Sequence, residues 1–500
     1  MKKVVAALLA PLALASTYDE WDLPNYCMAT DTMDKVAIPP LTSNRPMELV
    51  QAQVIARHGA RAPYSRVFCW ETAPSPVNAV WNCSTSSVWS GDIMANDANN
   101  RGFGRLYKKQ YMDGGNVLSG TCAVGGLLPL GREQHRRVGE LLRKAYIGEG
   151  PLKLFNSSNL NTLHKHEIYL RSDDQERTLG SGQALVDGLF PYDVTDDSDT
   201  EHMLTWMTAD GATDYIDHKS DNSCPALPFI LGQVQATPEW AALSRDVAPL
   251  QAEFERVVNG TFSWDTCLEC LMIARCNDLA LPPGMTQELF DGLIQHVQAR
   301  KKLVLTFQGG RYAKVDMHHM WADVLQRIDK IIADPEHAPK LSITIGHDST
   351  IMPMMALLLG DRWDGAWTTY AGTLVLELYK VVPTVTLRND ESKHPTNDAS
   401  AAYAVRAVYN GQPLLLPFCS DYLCEWTVFN DTFAFAREWR PCAVPTTSMS
   451  AVPTDRRWKP HGLHWVASAV MFSGCVSMTV VMMRELRHRQ EDPTTRYLLA

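Results

Sequence analysis

The residues with the clearest chemical potential in this sequence lie in one run, Arg57-His58-Gly59-Ala60-Arg61-Ala62-Pro63. The preceding stretch, from Glu48 to Ala56, is rich in apolar and β-branched side chains and predicts a strand with a buried face. Gly59 and Pro63 end that strand, so His58 lies where it ends. Ligands of open α/β sheets bind at the carboxyl ends of strands. A histidine between two arginines there predicts an anion, most simply phosphate, held against an imidazole.

A second strand end carries His347 and Asp348. The run from Leu341 to Gly346 is typical of a buried strand, and a helical pattern follows from Ser349 to Leu359. Strand, dipeptide and helix again predict side chains at the carboxyl edge of the sheet. A lone His-Asp pair has little specificity, and this one gains its meaning from following the first motif.

A third strand end is predicted where a short strand, Glu167 to Leu170, leads into Arg171-Ser172-Asp173-Asp174-Gln175-Glu176-Arg177-Thr178. A helix follows, which Pro191 ends. For Arg177, a salt bridge to one of the neighbouring acids is the simpler interpretation.

Taken together, these segments resemble the histidine acid phosphatases, the branch of the histidine phosphatase superfamily that includes lysosomal and prostatic acid phosphatases and phytases. The resemblance rests on the three strand-end motifs and on Leu130-Gly131-Arg132-Glu133-Gln134-His135 with its helix, and it spans roughly Glu48 to Cys442. It implies a phosphoglycerate-mutase-like α/β sandwich domain with an inserted, mostly α-helical cap. His135 itself is interpreted as solvated on a polar helix face.

The resemblance also implies roles for individual residues. His58 attacks phosphorus as a neutral imidazole and forms a phosphohistidine that water hydrolyses, while Asp348 protonates the leaving alcohol. The phosphate-binding residues are Arg57, Arg61, Arg171 and His347. The arginines supply permanent charge, which stabilises the transition state and disfavours protonation of His58, so that the histidine stays nucleophilic at acid pH. Beside bound phosphate, Asp348 is expected to be easier to keep protonated. No metal and no organic cofactor is required.

The composition limits the partners. With 500 residues, 45% of them hydrophobic and 20% charged, the chain can form a large folded core. A formal net charge of −10 argues against nucleic acid or an anionic lipid surface as the main partner. The expected substrates are small phosphate monoesters or phosphoproteins. A homodimer is compatible with the resemblance, because dimers are common in that family.

The two ends of the chain predict a type I membrane protein. A charged start and a short apolar run make residues 1–15 a secretory signal peptide. Residues 464–483 are nearly free of charge and long enough to cross a bilayer, and the basic residues after them favour a cytoplasmic tail of residues 484–500. The catalytic part is then luminal or extracellular. Lysosome or endosome is favoured slightly over the cell surface.

Cysteines and glycosylation sequons agree with that compartment. Eleven of the twelve cysteines precede the membrane segment, and disulfides are expected among them. The resemblance implies the pairs Cys224–Cys442 and Cys419–Cys424. It leaves Cys276 in doubt, with Cys267 or a local neighbour as its partner. Structural disulfides explain the Cys267-Leu268-Glu269-Cys270 stretch better than a metal site does. The predicted glycosylation sites are Asn82, Asn156, Asn259 and Asn430.

The predicted domain organisation is an α/β phosphatase domain of residues 48–194 and 301–442, interrupted by the cap at 195–300 and followed by a Pro-rich stalk at 443–461. An acid phosphatase acting through phosphohistidine fits this organisation best. Two alternatives stay open. A phytase-like inositol-phosphate phosphatase would share every catalytic residue and differ in the cap, and a surface receptor would use the same fold without catalysis.

Overall fold

The structure is a computed structural model. It describes residues 26–28, 30–43, 45–64, 70, 75–83, 88–90, 106–108, 117–149, 152–160, 163–164, 166–191, 204–211, 213–217, 224–259, 263–381, 403–437 and 442. The predicted signal peptide, stalk, membrane helix and tail lie outside these ranges. Within the ranges, no helix combines the length and the apolar character needed to cross a membrane.

The described residues form ten strands and ten α-helices, with six helices in succession between the fifth and the sixth strand. The strands are β1 (Met47–Arg57), β2 (Val88–Ser90), β3 (Leu106–Lys108), β4 (Ile168–Ser172), β5 (Trp206–Met207), β6 (Leu341–Gly346), β7 (Thr373–Val381), β8 (Tyr403–Tyr409), β9 (Gln412–Pro413) and β10 (Leu423–Glu425). The α-helices are α1 (Pro129–Tyr146), α2 (Glu176–Leu189), α3 (Ala226–Gln235), α4 (Pro238–Asp246), α5 (Ala248–Val258), α6 (Trp264–Cys276), α7 (Gln287–Asp316), α8 (His318–Ala333), α9 (Asp348–Leu359) and α10 (Trp426–Thr432). Short 3₁₀ turns occur at Thr30–Val36, Pro76–Asn78, Gly360–Arg362 and Ala434–Arg437.

The main sheet is mixed, in the order β10-β8-β7-β1-β6-β4-β5, with β9 paired to β8. Strands β1, β6, β4 and β5 are parallel, whereas β7 runs antiparallel to β1. Because β1 lies between two neighbours and under helices, nearly all of its side chains from Gln51 onwards are buried, including the polar Gln51 and Gln53. The register pairs Arg57 with Gly346, so β1 and β6 end at the same level. His58 and His347 therefore emerge side by side.

Helices cover both faces of the sheet, which confirms the predicted α/β class. Helices α1 and α2 bury one face around Val138, Leu142 and Leu185, whereas α8 and α9 bury the other around Trp321 and Ile351. A Cβ atom on Gly139 would lie 2.0 Å from the Leu185 carbonyl oxygen, so glycine is what lets α1 and α2 pack so closely.

Between β5 and β6 the chain inserts helices α3 to α7, here termed the helical insertion. Helices α5, α6 and the first part of α7 share an apolar core centred on Phe254, Leu271, Phe290 and Leu293. Helix α3 packs instead into the core that α8 and α9 bury. Helix α7 is interrupted between Phe307 and Gly310 by non-helical backbone. Helix α7 ends at Asp316, and α8 begins at His318.

The disulfides correct one prediction. The described residues contain the bonds Cys27–Cys276, Cys83–Cys122, Cys224–Cys442 and Cys419–Cys424. The two pairs implied by the resemblance are confirmed, but pairing of Cys276 with Cys267 or a local neighbour is wrong. Both residues lie on α6 about 13 Å apart along its axis, which is too far for a disulfide. Cys267 is a buried free thiol, and Cys270 is disulfide-bonded.

Candidate active site

His58 directly follows β1 and is buried beside the first turn of α1. Its backbone nitrogen donates to the Gly346 carbonyl at 3.0 Å, which ties it to β6. The ring Nδ1 lies 2.8 Å from the carbonyl oxygen of Gly59. A carbonyl only accepts hydrogen bonds, so Nδ1 carries the proton in the neutral ring and Nε2 keeps the lone pair. This is the tautomer that a nucleophilic histidine needs.

The turn after His58 packs closely against α1, and it can do so only because Gly59 and Gly131 have no side chains. A Cβ atom on Gly59 would lie 2.4 Å from the carbonyl oxygen of Gly131, the third residue of α1. The amides of the turn are satisfied by side chains: Gly59 donates to Ser181 and Ala60 donates to Gln134. Helices α1 and α2 thus hold the turn directly.

Burial and positive charge keep His58 neutral. Desolvation first, and then the charges of Arg177, Arg57 and Arg61, hold its pKa well below the usual range. The side chain therefore stays unprotonated, and nucleophilic, in acidic solution. This agrees with the sequence-based expectation, except that Arg177 is one of the charges responsible.

Arg57 is the most enclosed of the arginines, with 1% of its surface exposed. Its guanidinium lies between the rings of Tyr26 and Tyr370, at 5.0 and 4.7 Å from their centroids. Nη1 donates to the Thr368 carbonyl at 2.6 Å, and Nη2 lies 2.8 Å from Asp348 Oδ2.

Arg61 is held by a partner from the helical insertion. Its guanidinium forms an ion pair with the carboxylate of Glu269 on α6 and lies over the ring of Tyr64. Helix α6 thus reaches the motif that follows β1.

Arg171 and Arg177, which the sequence assigned to phosphate binding and to a salt bridge, occupy different places in the structure. Arg171 is inside β4, and its guanidinium pairs with buried Asp214 at 2.6 Å. It is not among the charges that lower the pKa of His58. Arg177 lies in the first turn of α2, beyond the strand end, with Nη2 3.5 Å from Nδ1 of His347. The structure thus brings Arg177, rather than Arg171, next to His347. Phosphate binding by Arg171 stays a prediction from the sequence.

The three arginines around His58 share an unusual feature. The Nε atoms of Arg57, Arg61 and Arg177 are buried and have no hydrogen-bond partner among the described residues. Unpaired buried donors are rare and costly in folded proteins. Three of them around one neutral histidine form a site that a bound oxyanion would complete.

His347 belongs to a hydrogen-bonded network with two acids. Its Nε2 lies 3.0 Å from Asp173 Oδ2 and 3.8 Å from Asp217 Oδ2. Burial acts to raise the pKa of Asp173, but the charge and hydrogen bond of His347 outweigh it and lower that pKa. Thr178 donates to the other oxygen of Asp173, and Ser349 donates to Asp217. The other ring nitrogen of His347, Nδ1, faces Arg177.

Among the described residues, His347, Asp173 and Asp217 come nearest to forming a metal site, since one ligand atom from each lies within 4.8 Å of the others. Their carboxylate oxygens and the imidazole nitrogen already interact with one another and with the neighbouring hydroxyl groups of Thr178 and Ser349. Arg177 also lies against the group and acts electrostatically on Asp173. A cation would have to enter beside this arginine, so the donor set fits a network that orients His347 better than a metal centre.

Asp348 caps the other side of the site at the start of α9. Its Oδ2 accepts from the Trp367 indole at 2.7 Å and pairs with Arg57. Burial acts to raise its pKa, but the opposing charge of Arg57 dominates and lowers it to about 2. In the absence of phosphate, the carboxylate is therefore ionised. Protonation of Asp348 then requires a bound phosphate that offsets the arginine charge.

A cavity opens from Asp348 between the helical insertion and α9. It comprises about 610 Å³ of empty space, including the part open to solvent. Its apolar wall consists of Trp240, Val304, Leu305, Met352, Pro353 and Trp367. Its charged residues are Asp265, Arg300, Lys301, Asp316 and Asp348. The cavity thus adjoins Asp348, the residue that the sequence predicts as the general acid.

Sequence reasoning missed several residues that shape this site. His135 is fully buried rather than solvated, and its Nε2 donates to the Arg57 carbonyl at 2.9 Å. Burial lowers its pKa to about 4. A signal was available, because His135 shares the helical stripe of Val138 and Leu142. For Tyr26, 31 residues from Arg57, no local pattern points to the site.

The predicted glycosylation sites lie at the surface to different degrees. Asn82, Asn156 and Asn259 are exposed, whereas Asn430 is half-buried and its amide oxygen accepts from Arg437 at 2.7 Å. The first three are therefore the more accessible acceptors.

Known proteins resemble this chain in sequence and in fold. The sequence model of the histidine phosphatase superfamily (branch 2) matches residues 48–265. Counting factor 60 of Dictyostelium discoideum is 25% identical over 421 residues, covering 82% of this chain and 89% of that protein. Mouse (Mus musculus) lysophosphatidic acid phosphatase type 6 is 25% identical over 405 residues, covering 78% and 85%. Human (Homo sapiens) lysosomal acid phosphatase is 26% identical over 273 residues, covering 51% and 60%. The apo form of a Hafnia alvei phytase has a TM-score of 0.48 at 14% identity, covering 81% of this chain and 100% of that one.

Proposed function

The chain belongs to branch 2 of the histidine phosphatase superfamily and is an acid phosphatase that hydrolyses phosphate monoesters; from this premise we propose which residues carry the reaction. His58 is the nucleophile, Asp348 is the general acid, and the phosphoryl group is bound by Arg57, Arg61, Arg177 and His347. The observation that carries this assignment is the set of three unpaired Nε–H donors around a neutral histidine.

In the first step, Nε2 of His58 forms a bond to phosphorus while the bond from phosphorus to the ester oxygen breaks. Charge on the phosphoryl oxygens is stabilised by the guanidinium groups, which need not reorganise during the reaction. The departing oxygen takes a proton from Asp348. Because Asp348 is ionised in the free site, that proton enters with the substrate: a monoanionic ester loses its proton to Asp348 when the arginines bind the dianion.

In the second step, water attacks the phosphohistidine. Asp348, now ionised, accepts a proton from the water, and the bond between phosphorus and Nε2 breaks. Inorganic phosphate leaves as the monoanion with the proton that Asp348 took up, so Asp348 is again ionised. His58 returns to the neutral tautomer that the Gly59 carbonyl fixes.

A matched pair of variants tests the arginine assignment. Arg177→Ala removes a donor to the phosphoryl group and should lower kcat for p-nitrophenyl phosphate by roughly 10²- to 10³-fold. Arg171→Ala instead leaves the carboxylate of Asp214 buried without its partner, so its main effect should be a lower unfolding temperature. If Arg171→Ala costs more kcat than Arg177→Ala in folded enzyme, the assignment must return to Arg171.

The cavity beside Asp348 supports a particular kind of leaving group. Its aromatic and aliphatic wall suits an alcohol that carries an apolar chain or ring. An inositol polyphosphate would need a surplus of basic side chains, whereas this cavity has three acids and two bases. The substrate proposed here is thus an amphiphilic monoester, the class to which lysophosphatidic acid belongs, and the phytase-like alternative is less favoured.

A substrate series separates these possibilities. The value of kcat/KM should rise with chain length from ethyl to decyl phosphate, below micelle-forming concentrations, and inositol hexakisphosphate should be a poor substrate. Leu305→Gln, which places a polar group in the cavity wall, should remove the chain-length dependence while sparing ethyl phosphate. Equal kcat/KM values along the alkyl phosphate series, together with rapid turnover of inositol hexakisphosphate, would favour the phytase-like alternative instead.

The proposal extends to the organisation of the whole chain. The helical insertion is proposed to be the cap of a two-domain phosphatase, with residues 48–194 and 301–442 as the α/β domain. Residues 464–483 are proposed to anchor a luminal or extracellular enzyme, in lysosomes or endosomes or at the cell surface. A chain truncated before residue 461 should be secreted in active form, and retention on carbonate-washed membranes would contradict the anchor. Size-exclusion chromatography with light scattering on the same truncated chain tests for a homodimer.

A further inference from the structure

Tyr26 lies in the site although the segment around it precedes the residues that match the superfamily. Its hydroxyl accepts a hydrogen bond from Nη2 of Arg57 at 3.0 Å, and its ring covers one face of the guanidinium. Both residues are buried. Burial raises the pKa of Tyr26, so its hydroxyl stays neutral and the contact does not cancel the charge of Arg57.

Four further contacts fix the segment that carries Tyr26. The Tyr26 carbonyl accepts from the backbone nitrogen of Tyr370 at 3.0 Å. The side chain of Gln134 donates to the carbonyls of Cys27 and Met28, at 2.7 and 2.9 Å. Cys27 is disulfide-bonded to Cys276 at the end of α6. We term residues 26–28 the N-terminal strap.

Helix α6 therefore reaches two arginines of the site by separate routes. Glu269, on this helix, pairs directly with Arg61. Cys276, the last residue of the helix, is linked covalently to the strap whose tyrosine holds Arg57. A shift of α6 relative to the sheet would thus be felt at both guanidinium groups.

We propose that Tyr26 is a positioning residue for Arg57, and that the Cys27–Cys276 disulfide keeps Tyr26 in place by tying the strap to α6. Arg57 is left with one hydrogen bond to a carbonyl, an ion pair with Asp348 and one free Nε–H. Without Tyr26, Nη2 could turn wholly towards Asp348, and the guanidinium would lose its fixed orientation. The inference rests on Arg57 binding the phosphoryl group.

The test compares two phenylalanine variants. Tyr26→Phe keeps the ring and removes the hydroxyl; it should lower kcat/KM roughly tenfold and weaken binding of inorganic phosphate, measured by calorimetry, by a similar factor. The loss should be equal for p-nitrophenyl phosphate and an alkyl phosphate, because Arg57 acts on charge common to both. Tyr146→Phe is the matched control, since it removes another buried hydroxyl, one bonded to Glu377 at 2.7 Å. Tyr146→Phe should lower the unfolding temperature and leave kcat/KM and the affinity for inorganic phosphate unchanged.

The disulfide is tested by a double-mutant cycle. Cys27→Ser with Cys276→Ser should reduce kcat/KM several-fold, and adding Tyr26→Ala should give no more loss than Tyr26→Ala alone. Cys419→Ser with Cys424→Ser removes a bond elsewhere and should not change kcat/KM. Wild-type kinetics and phosphate binding in Tyr26→Phe, or losses that multiply in the combined variant, would overturn the inference while leaving the phosphatase assignment intact. Absence of turnover in wild type would instead overturn the proposed function, and calorimetry with phosphate would still decide the role of Tyr26.

Discussion

The carboxylate of Glu269 and the guanidinium of Arg61 form an ion pair across the boundary between α6 and the turn after β1. In the proposed assignment, a phosphate oxygen needs the Arg61 donor that Glu269 occupies. Substrate would then have to displace or share this carboxylate, and the helical insertion would compete with phosphate for Arg61.

Replacing Glu269 with Gln should therefore strengthen phosphate binding. The variant keeps the size of the side chain but removes the competing charge. We expect the inhibition constant of inorganic phosphate to fall roughly three- to tenfold, in line with a partly exposed ion pair. Glu269→Asp, which keeps the charge, is the control. Weaker phosphate binding in Glu269→Gln would mean that the carboxylate positions Arg61 rather than competing for it.

Asp348→Asn should slow substrates according to their leaving groups. Asparagine has no transferable proton but keeps the hydrogen bond to Trp367 within reach. The loss should be roughly 10²- to 10⁴-fold for an alkyl phosphate, whose alkoxide leaves poorly, and much smaller for p-nitrophenyl phosphate. Both rates are to be measured in single turnover, so that phosphohistidine hydrolysis cannot mask the first step. Equal losses would exclude Asp348 as the general acid.

The pH dependence of kcat/KM should follow the substrate. His58 is neutral and Asp348 is ionised over the acidic range, since their pKa values are both lowered. The reactive complex needs one proton, which a monoanionic ester brings. The profile should be flat in acid and fall about tenfold per pH unit above the second pKa of the ester, near 6. Esters of different phosphate pKa should move the falling limb. If the falling limb stays at the same pH for every ester, the group that titrates there belongs to the enzyme.

Protonation of Asp316 should make the folded state more stable at acidic pH than at neutral or basic pH. Burial, reinforced by the charge of Asp217 and opposed by Lys301, raises its pKa to about 8. The folded chain then binds more protons than the unfolded chain between about pH 4 and 8, so stability falls as pH rises through that window and is constant above it. Asp316→Asn should reduce the drop in unfolding temperature between pH 5 and 7.5 by roughly 2–5 °C. An unchanged drop would show that Asp316 titrates normally.

The sequence determined those parts of the site that a single strand end carries. β1 and β6 are buried between neighbours and contain apolar and β-branched side chains, so their ends could be located within one residue. His58 and the His347-Asp348 pair follow those ends directly. Residues this close to a strand end have little freedom in where they emerge, which is why both motifs fall in one place.

Tertiary structure alone decided which further side chains join them. Arg171 and Arg177 lie on either side of the end of β4, and the choice depends on Asp214, a buried acid that pairs with the first and leaves the second free to face His58. Tyr26 enters because Cys27 bonds to Cys276, 249 residues away in sequence. Such long-range partners leave no local periodicity, since periodicity records only which face of one element is buried. The arginine cluster and its tyrosine support exist only once distant segments are packed together.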